Sequence, residues 1–391
     1  MQYHHNDVHA GRWTEVDVLI CGAGAAGLSL AHLLGAQGHH VTLVEAAPAV
    51  RNGGLAIDVR ADALEVAARM GILQTIQAAR IRMILGSTFV DAADRVLGVM
   101  SPELVASEFY EEGEHDIEVS RKVLNGALLA AVDLPTVTLL YETSVVALAE
   151  DADRVDVTLN DGTVRRVDLV VGADGLHSAV RRLTFGPEAQ FVHHLGIYVA
   201  LFEVPDALAP EPGGRMYNTP GRMCSLLNYG DRTVAATLFR SPFLDHDHRD
   251  VARQQDIVRE AYREETGWRV AEIVAALDAA PEFYFDTVSQ VRLPTWSRGR
   301  VALIGDAAHC SALLSGMGTS LAMLGAAALA DELAAAGGDH ASAFARYQQR
   351  MLPVVARAQA SVVANAEIMV PATQESIDRR HRLARGEAVD A

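Results

Sequence analysis

Three glycines, at positions 22, 24 and 27, constrain this chain more than any other feature of its 391 residues. They follow a short apolar run at 16–21 and open an alanine- and leucine-rich stretch at 28–37, which ends at Gly38. A second apolar run, 41–44, closes on Glu45. Strand, glycine turn, helix and strand in that order make a βαβ unit of about 30 residues. Each glycine has its own duty there. Gly22 permits the tight bend, Gly24 lets an anionic group approach the backbone, and Gly27 lets the helix lie close to the strand. The helix start, with Ala26 in its first turn, presents free N–H groups and the positive end of the dipole, which favour a diphosphate. A carboxylate at Glu45 accepts both hydroxyls of a ribose and repels a 2′-phosphate. The unit is therefore expected to bind FAD or NAD rather than NADP.

Composition narrows the remaining possibilities. Half the residues are hydrophobic and 21% are charged, so a sizeable core is available and wholesale disorder is excluded. Lys+Arg is 33 against Asp+Glu 50, a formal charge of −17, which argues against nucleic acid as a partner. The three cysteines, Cys21, Cys224 and Cys310, form no C-x-x-C pair and suggest a reducing compartment. The first 15 residues have no apolar core after a basic start, so they do not read as a secretory signal, and a cytoplasmic location is expected. Two apolar windows, 16–35 and 318–337, are interrupted by Asp17 and by Asp331 and Glu332 respectively. Both are read as buried elements rather than membrane spans. No metal site is expected: His246 and His248 lack converging partners.

Further along, residues 62–70 carry a helical pattern, and 155, 157 and 159 alternate apolar with polar. Asn160-Asp161-Gly162 then predicts a hairpin into one strand over 164–171. Residues 190–240 read as strands, 249–280 and 319–335 as helices, and 353–375 as one more helix. Two later segments repeat the logic of the first. Asp168-Leu-Val-Val-Gly172-Ala-Asp174-Gly175 is a buried strand followed by an acid–glycine turn. Arg300-Val-Ala-Leu-Ile-Gly305-Asp306 delivers an aspartate to a turn before a helix, a good place to hold sugar hydroxyls.

With all three segments present in order, the sequence resembles the class A flavoprotein monooxygenases, the para-hydroxybenzoate hydroxylase superfamily. Arg121-Lys122-Val123-Leu124 is similar to that family's R-x-x-L segment, whose arginine contacts FAD, and 314–320 occupies its glycine loop beside the flavin pyrimidine, with Gly316, Gly318 and Thr319. Among its members the chain most resembles the tetracycline-modifying monooxygenases and their actinobacterial relatives. Arg51-Asn-Gly53-Gly54 with Ile57-Asp58 is similar to their segment beneath the flavin, which implies that Arg51 touches NADPH or FAD and Asp58 the isoalloxazine region. Two departures stand out: no proline follows the G-D motif, and Met317 replaces the commoner glutamine of the loop.

The resemblance implies an α/β fold, with a Rossmann-like FAD-binding domain (15–75, 105–183 and 286–338) interleaved with an antiparallel β-sheet substrate domain (76–104 and 184–285), then a C-terminal helical segment (339–391). It implies FAD as cofactor, NADPH or NADH as transient reductant, and O2 and a small molecule as substrates. Oxygen would be delivered from a flavin C4a-hydroperoxide to an aromatic or polycyclic substrate, in natural-product tailoring or antibiotic inactivation. No protein catalytic base stands out, because the cofactor carries the hard step. The substrate is expected between the two domains, with Tyr198, Met216, Tyr217 and Met223 as candidate wall residues. A flavin oxidase or dehydrogenase of the same fold, or a non-catalytic flavin- or ligand-binding protein, remains an alternative. The oligomeric state and the choice among hydroxylation, Baeyer–Villiger insertion and epoxidation are not encoded legibly.

Overall fold

A computed structural model describes residues 15–50, 53–60, 62–81, 86–101, 104, 116–247 and 249–387. Its first layer is a six-stranded sheet in the order Ser297–Arg298, Val301–Leu303, Leu169–Gly172, Asp17–Cys21, His40–Val44 and Val137–Leu140. All pairings are parallel except that of the edge strand Ser297–Arg298. Parallel strands are covered on both faces, so they read as unbroken apolar runs; Leu19, Ile20, Leu43, Val170 and Val171 are fully buried. The helix Ala25–Ala36 packs on Gly318–Ala336, which packs in turn on His340–Met369. Gly318–Ala336 is long and apolar enough by length and composition to cross a membrane, yet most of its surface is buried inside the protein.

The second layer is a seven-stranded sheet in the order Phe283–Val291, Val192–Val204, Thr233–Arg240, Arg222–Asn228, Gly213–Thr219, Thr88–Val90 and Val96–Val99. It is antiparallel apart from the pairing of Gly213–Thr219 with Thr88–Val90. Its faces bury different sets. Tyr198, Ala200, Phe202, Phe239 and Phe285 pack with Ile257, Val258 and Ile273 of the helices behind the sheet. Ile197, Val199, Leu201, Met223, Leu238 and Val288 pack with Leu55, Ala312 and Leu314 of the glycine-bearing side and with Val362 and Ala366. Each large side chain so buried contributes roughly 1.5–3 kcal/mol.

Two expected elements come out differently. The single strand at 164–171 is two, Val164–Val167 and Leu169–Gly172, in different sheets. Asp168 makes the break: its carboxylate accepts the Asp17 N–H at 2.8 Å and pairs with Arg154 at 3.0 Å, which turns the chain from the hairpin into the parallel sheet. The helix expected to begin at Pro353 begins at His340 and runs through the proline to Met369, after which Gln374–Ala384 forms a separate helix. An interior proline removes one hydrogen bond. Buried anchors on both sides of it, Phe344, Tyr347 and Met351 before and Val355, Ala358 and Val362 after, hold the helix continuous.

Candidate active site

The C-terminal ends of the parallel strands bring the three glycine-bearing segments together, where open α/β sheets place their ligand crevice. Strand Asp17–Cys21 ends beside Leu169–Gly172 and His40–Val44, and Val301–Leu303 lies next in line. Gly22 adopts φ +100°, and a Cβ there would stand 2.4 Å from the Ala173 carbonyl oxygen. A Cβ at Gly27 would stand 1.9 Å from the Gly22 carbonyl oxygen. At Gly24 it would meet nothing within 4 Å among the described residues. Gly24 also ends the turn without a side-chain cap, so the first N–H groups of Ala25–Ala36, those of Ala26 and Gly27 among them, face the groove without intrahelical partners.

Glu45 ties this turn to the second strand. Its Oε2 accepts the Ala23 N–H at 2.8 Å and its Oε1 the Ala47 N–H at 2.9 Å. Each oxygen retains a second acceptor site. Asp174 is turned the other way: it accepts the Ser178 hydroxyl at 2.5 Å and the Val180 N–H at 3.0 Å, holding the start of Ala179–Phe185. Burial raises its pKa, and these bonds oppose the rise.

Across the groove, Gly305 in a left-handed turn (φ +58°) presents Asp306 at the start of Asp306–His309. The Asp306 side chain is open to the groove. Protein crowds it on its remaining sides, so desolvation raises its pKa against the pull of Arg121 and a hydrogen bond with Cys310. Arg121 opens the helix Arg121–Ala131, and its Nε lies 3.8 Å from the point a Gly54 Cβ would occupy. The glycine loop is braced from within. Ser315 Oγ donates to the Ala312 carbonyl at 2.8 Å and accepts from Met317 N at 3.1 Å, while Asn365 Nδ2 donates to the Leu314 carbonyl at 2.8 Å. Ala312 is held at φ +78°, a conformation rare outside glycine and common at functional sites. Among the described residues Gly318 has no neighbour within 4 Å of its Cβ position, and the helix Gly318–Ala336 begins there without a side-chain cap. Thr319, half-buried, follows in its first turn.

Asp58 lies on the short strand Ile57–Val59 and accepts from Arg60 Nη2 at 2.6 Å. Arg60, almost wholly buried, also stands 3.8 Å from Asp116, and its Nη2 is 3.1 Å from the Cβ position of Gly316 (φ +63°). Ser320 completes this junction, accepting from Arg60 N at 3.0 Å and donating to the Asp58 carbonyl at 3.3 Å. From the other sheet, Tyr229 accepts the Ala56 N–H at 3.1 Å and Arg232 Nη2 donates to the Gly54 carbonyl at 3.2 Å. Arg51 lies outside the described residues.

The four candidate wall residues scatter. Tyr198 is fully buried, stacked between Phe239 and Phe285 at 5.6 and 5.4 Å, with its oxygen accepting the Leu244 N–H at 2.8 Å. It belongs to the face turned away from the glycine-bearing segments, so the expectation that it lines the substrate space is corrected: alternation sends Ile197 and Val199 to that side instead. Tyr217 lines a cavity of about 410 Å³ against the helix Gln374–Ala384, which none of the glycine segments touches. Met216 packs with Phe89 and Met100, and Met223 with Val362 and Ala366; both are core.

Residues 15–361 match the family described as "FAD binding domain". The chain belongs to this FAD-binding family of flavin-dependent monooxygenases. An uncharacterised protein of Mycobacterium tuberculosis (strain ATCC 25618 / H37Rv) is 40% identical over 374 residues, covering 93% of this chain and 96% of that one. A flavin-dependent monooxygenase from an unknown prokaryotic organism is 34% identical over 382 residues, covering 94% and 95%. Among solved structures, the tetracycline destructase Tet(55) superposes with a TM-score of 0.81 at 32% identity, covering 96% of both chains. This monooxygenase is an FAD enzyme, and its groove fits the cofactor: a Cβ-free approach at Gly24 to an uncapped helix start, then a cation and an acceptor at Arg121 and Asp306.

Sequence reasoning missed three groups of the monooxygenase's groove. Arg60 gave no signal, being one arginine among many. Tyr284 and Asp286 lie on Phe283–Val291, paired in register with Leu201 and Val199 and therefore on the groove side of the sheet. His177, inside the D-G segment, bridges Glu188 at 3.0 Å and Asp286 at 3.3 Å, and those two acids push its pKa up to about 10.

Behind Asp306, His309 is buried between Trp296, at 4.6 Å between ring centroids, and the Tyr347 hydroxyl at 3.4 Å. Desolvation lowers its pKa to about 4. The unfolded chain binds this proton at about 6.5, so the stabilising effect of neutral His309 is complete above that pH and is lost as pH falls towards 4. The loss reaches about 3 kcal/mol. His381, lowered to about 4 by burial and Arg380, acts with the same sign. Urea midpoints measured from pH 7.5 to 4.5 are expected to fall less steeply in His309→Phe than in the wild type. Parallel slopes would remove His309 from the account.

Proposed function

We propose that this FAD monooxygenase takes electrons from NADPH or NADH and inserts one atom of O2 into an aromatic or polycyclic small molecule, in natural-product tailoring or antibiotic inactivation. The observation that carries this reading is the convergence of the glycine turn, Asp306 and Arg121 on one groove facing the second sheet. Bound FAD supplies the redox and oxygen chemistry. The chain's part is to bind, orient and exclude water. In this reading Gly22, Gly24, Ala26 and Gly27 receive the diphosphate, Glu45 the adenosine ribose, and Arg121 and Asp306 the ribityl side. Gly316, Gly318 and Thr319 meet the pyrimidine edge, where the helix start favours negative charge. Asp58 lies near the isoalloxazine, Arg51 reaches NADPH or FAD, and Asp174 holds the turn beneath the diphosphate.

The division proposed is 15–75, 105–183 and 286–338 for FAD, 76–104 and 184–285 for substrate, and 339–391 as a C-terminal helical brace. The likeness to a tetracycline destructase supports a polycyclic substrate. Three unpaired buried cysteines suit a reducing cytoplasm. The test is NADPH- and NADH-dependent oxygen uptake with a panel of tetracyclines, phenols and cyclic ketones under labelled O2. Substrate-stimulated uptake with one label in the product is expected. A bound flavin that stays oxidised under anaerobic NADPH and NADH would sink the reading.

A further inference from the structure

Two side chains of the groove share an unusual setting. Asp306 is one, open to the groove yet crowded by protein. Tyr284 is the other: 41% of it is exposed, yet burial around its phenol, with Asp286, Cys310 and Asp306 nearby, drives its pKa well up. Such a combination marks the wall of a deep groove rather than an outer surface. Position agrees. Tyr284 pairs with Leu201, and a Gly54 Cβ would lie 3.9 Å from Leu201 Cδ1 and 3.8 Å from Arg121 Nε. Glu282, two residues earlier, crowds the Cβ position of Gly53. Tyr284 thus stands over the 53–54 turn, on the side of the groove that holds Arg121 and Asp306.

The phenol's proton is already committed. Tyr284 Oη donates to Asp286 Oδ2 at 3.3 Å. Asp286 is fixed in turn by His177 Nε2 at 3.3 Å, and His177 Nδ1 is held by Glu188 at 3.0 Å. Glu188 also takes Arg181 Nη2 at 3.3 Å, and Arg181 is anchored on the Ala307 carbonyl at 3.1 Å, one residue beyond Asp306. With its hydrogen directed at Asp286, the Tyr284 oxygen presents lone pairs, not a donor, to the groove. Two acceptors, Asp306 and Tyr284, beside one cation, Arg121, match a chain of hydroxyl donors that leads to a diphosphate.

We propose that Tyr284 is a cofactor-contacting residue: its oxygen, oriented by Asp286 and His177, accepts a hydrogen bond from one hydroxyl of the ribityl chain of FAD. This rests on the FAD reading above and assigns Tyr284 a place within it.

The test is binding, not turnover. The full-length chain is stripped of flavin and titrated, by flavin fluorescence, with FAD and with its 2′-, 3′- and 4′-deoxyribityl analogues. Tyr284→Phe keeps the ring and removes the oxygen, and is expected to weaken FAD about three- to tenfold. The analogue lacking the partner hydroxyl will bind wild type and Tyr284→Phe alike, because the interaction is already absent; the other two will show the full loss. A general packing defect would weaken all four ligands equally, and that result overturns the assignment, as does wild-type FAD affinity in Tyr284→Phe. Should Tyr284→Phe not fold, Asp286→Ala carries the same test. It leaves the phenol in place but removes the acceptor that holds its proton, so the three analogues must spread differently from wild type, and an unchanged spread overturns the assignment. If the wild-type chain binds neither FAD nor any analogue, the FAD reading itself has failed, a distinguishable result.

Discussion

Gly24→Ala will fold as the wild type does and lose its flavin, whereas Gly27→Ala, three residues on, will lose stability first. The difference lies in what each new methyl meets. At Gly27 it would lie 1.9 Å from the Gly22 carbonyl oxygen, backbone that cannot move without separating the helix from Asp17–Cys21. Alanine is favoured over glycine in a helix interior by about 1 kcal/mol. Overpacking against rigid backbone costs about 3 kcal/mol or more and outweighs that gain. At Gly24 there is no atom of the described residues within 4 Å, and φ is −79°, which alanine adopts freely. In the reading proposed above, a methyl at 24 displaces the diphosphate that the uncapped helix start favours. We expect Gly24→Ala to keep the flavin-free urea midpoint of the wild type and to bind FAD roughly 10- to 100-fold more weakly. Gly27→Ala should unfold at markedly lower urea with or without FAD. Wild-type FAD affinity in Gly24→Ala would show that the diphosphate lies elsewhere; a wild-type urea midpoint in Gly27→Ala would show that the helix does not need this close approach.

The same contrast explains what the sequence made legible. The glycine turn is local: strand, turn and helix are contiguous, so spacing alone reveals the duty of each glycine. Asp306 is legible for the same reason, since strand, left-handed turn and acid follow one another within six residues, 301–306. Facing is harder. Val192–Val204 is buried on both sides over residues 197–202, so its sequence is a continuous apolar run that carries no alternation. Nothing local could assign Tyr198 to the back of the sheet, where Phe239 and Phe285 sandwich it. Tyr284 and Asp286 do alternate with Phe283 and Phe285, but alternation only divides a strand into two faces. Which face meets the groove is decided by pairing with Leu201 and Val199, more than 80 residues away in the chain. Asp168 and Pro353 misled for a related reason. A carboxylate binding the Asp17 N–H ends a strand that propensity would continue, and core anchors on both sides of Pro353 sustain a helix that propensity would begin or end there.

Asp306 offers a test in which stability and function move in opposite directions. Its folded-state pKa is raised, chiefly by desolvation, so the charged carboxylate is disfavoured by the fold at neutral pH. The sign follows from linkage. A carboxyl whose folded pKa lies above its unfolded value of about 3.9 contributes stability only at low pH, and that contribution is lost as pH rises through the folded pKa. At pH 7, therefore, Asp306→Asn should leave the flavin-free protein as stable as the wild type or more so, with the difference fading below pH 4. Binding goes the other way. A carboxylate that accepts hydroxyl hydrogens is a charged acceptor, and such bonds are worth about 1.5–3 kcal/mol, which is roughly a 10- to 150-fold change in affinity. Asp306→Ala removes both charge and acceptor and should purify colourless. Asp306→Asn retains one carbonyl acceptor and should bind FAD with an intermediate constant. Urea titration of the flavin-free chains and flavin titration of the same preparations separate the two effects. A merely structural aspartate would lose stability on substitution and keep its yellow spectrum. Holding a desolvated negative charge at the groove at some expense to the flavin-free fold is what a residue does when its partner arrives with the cofactor.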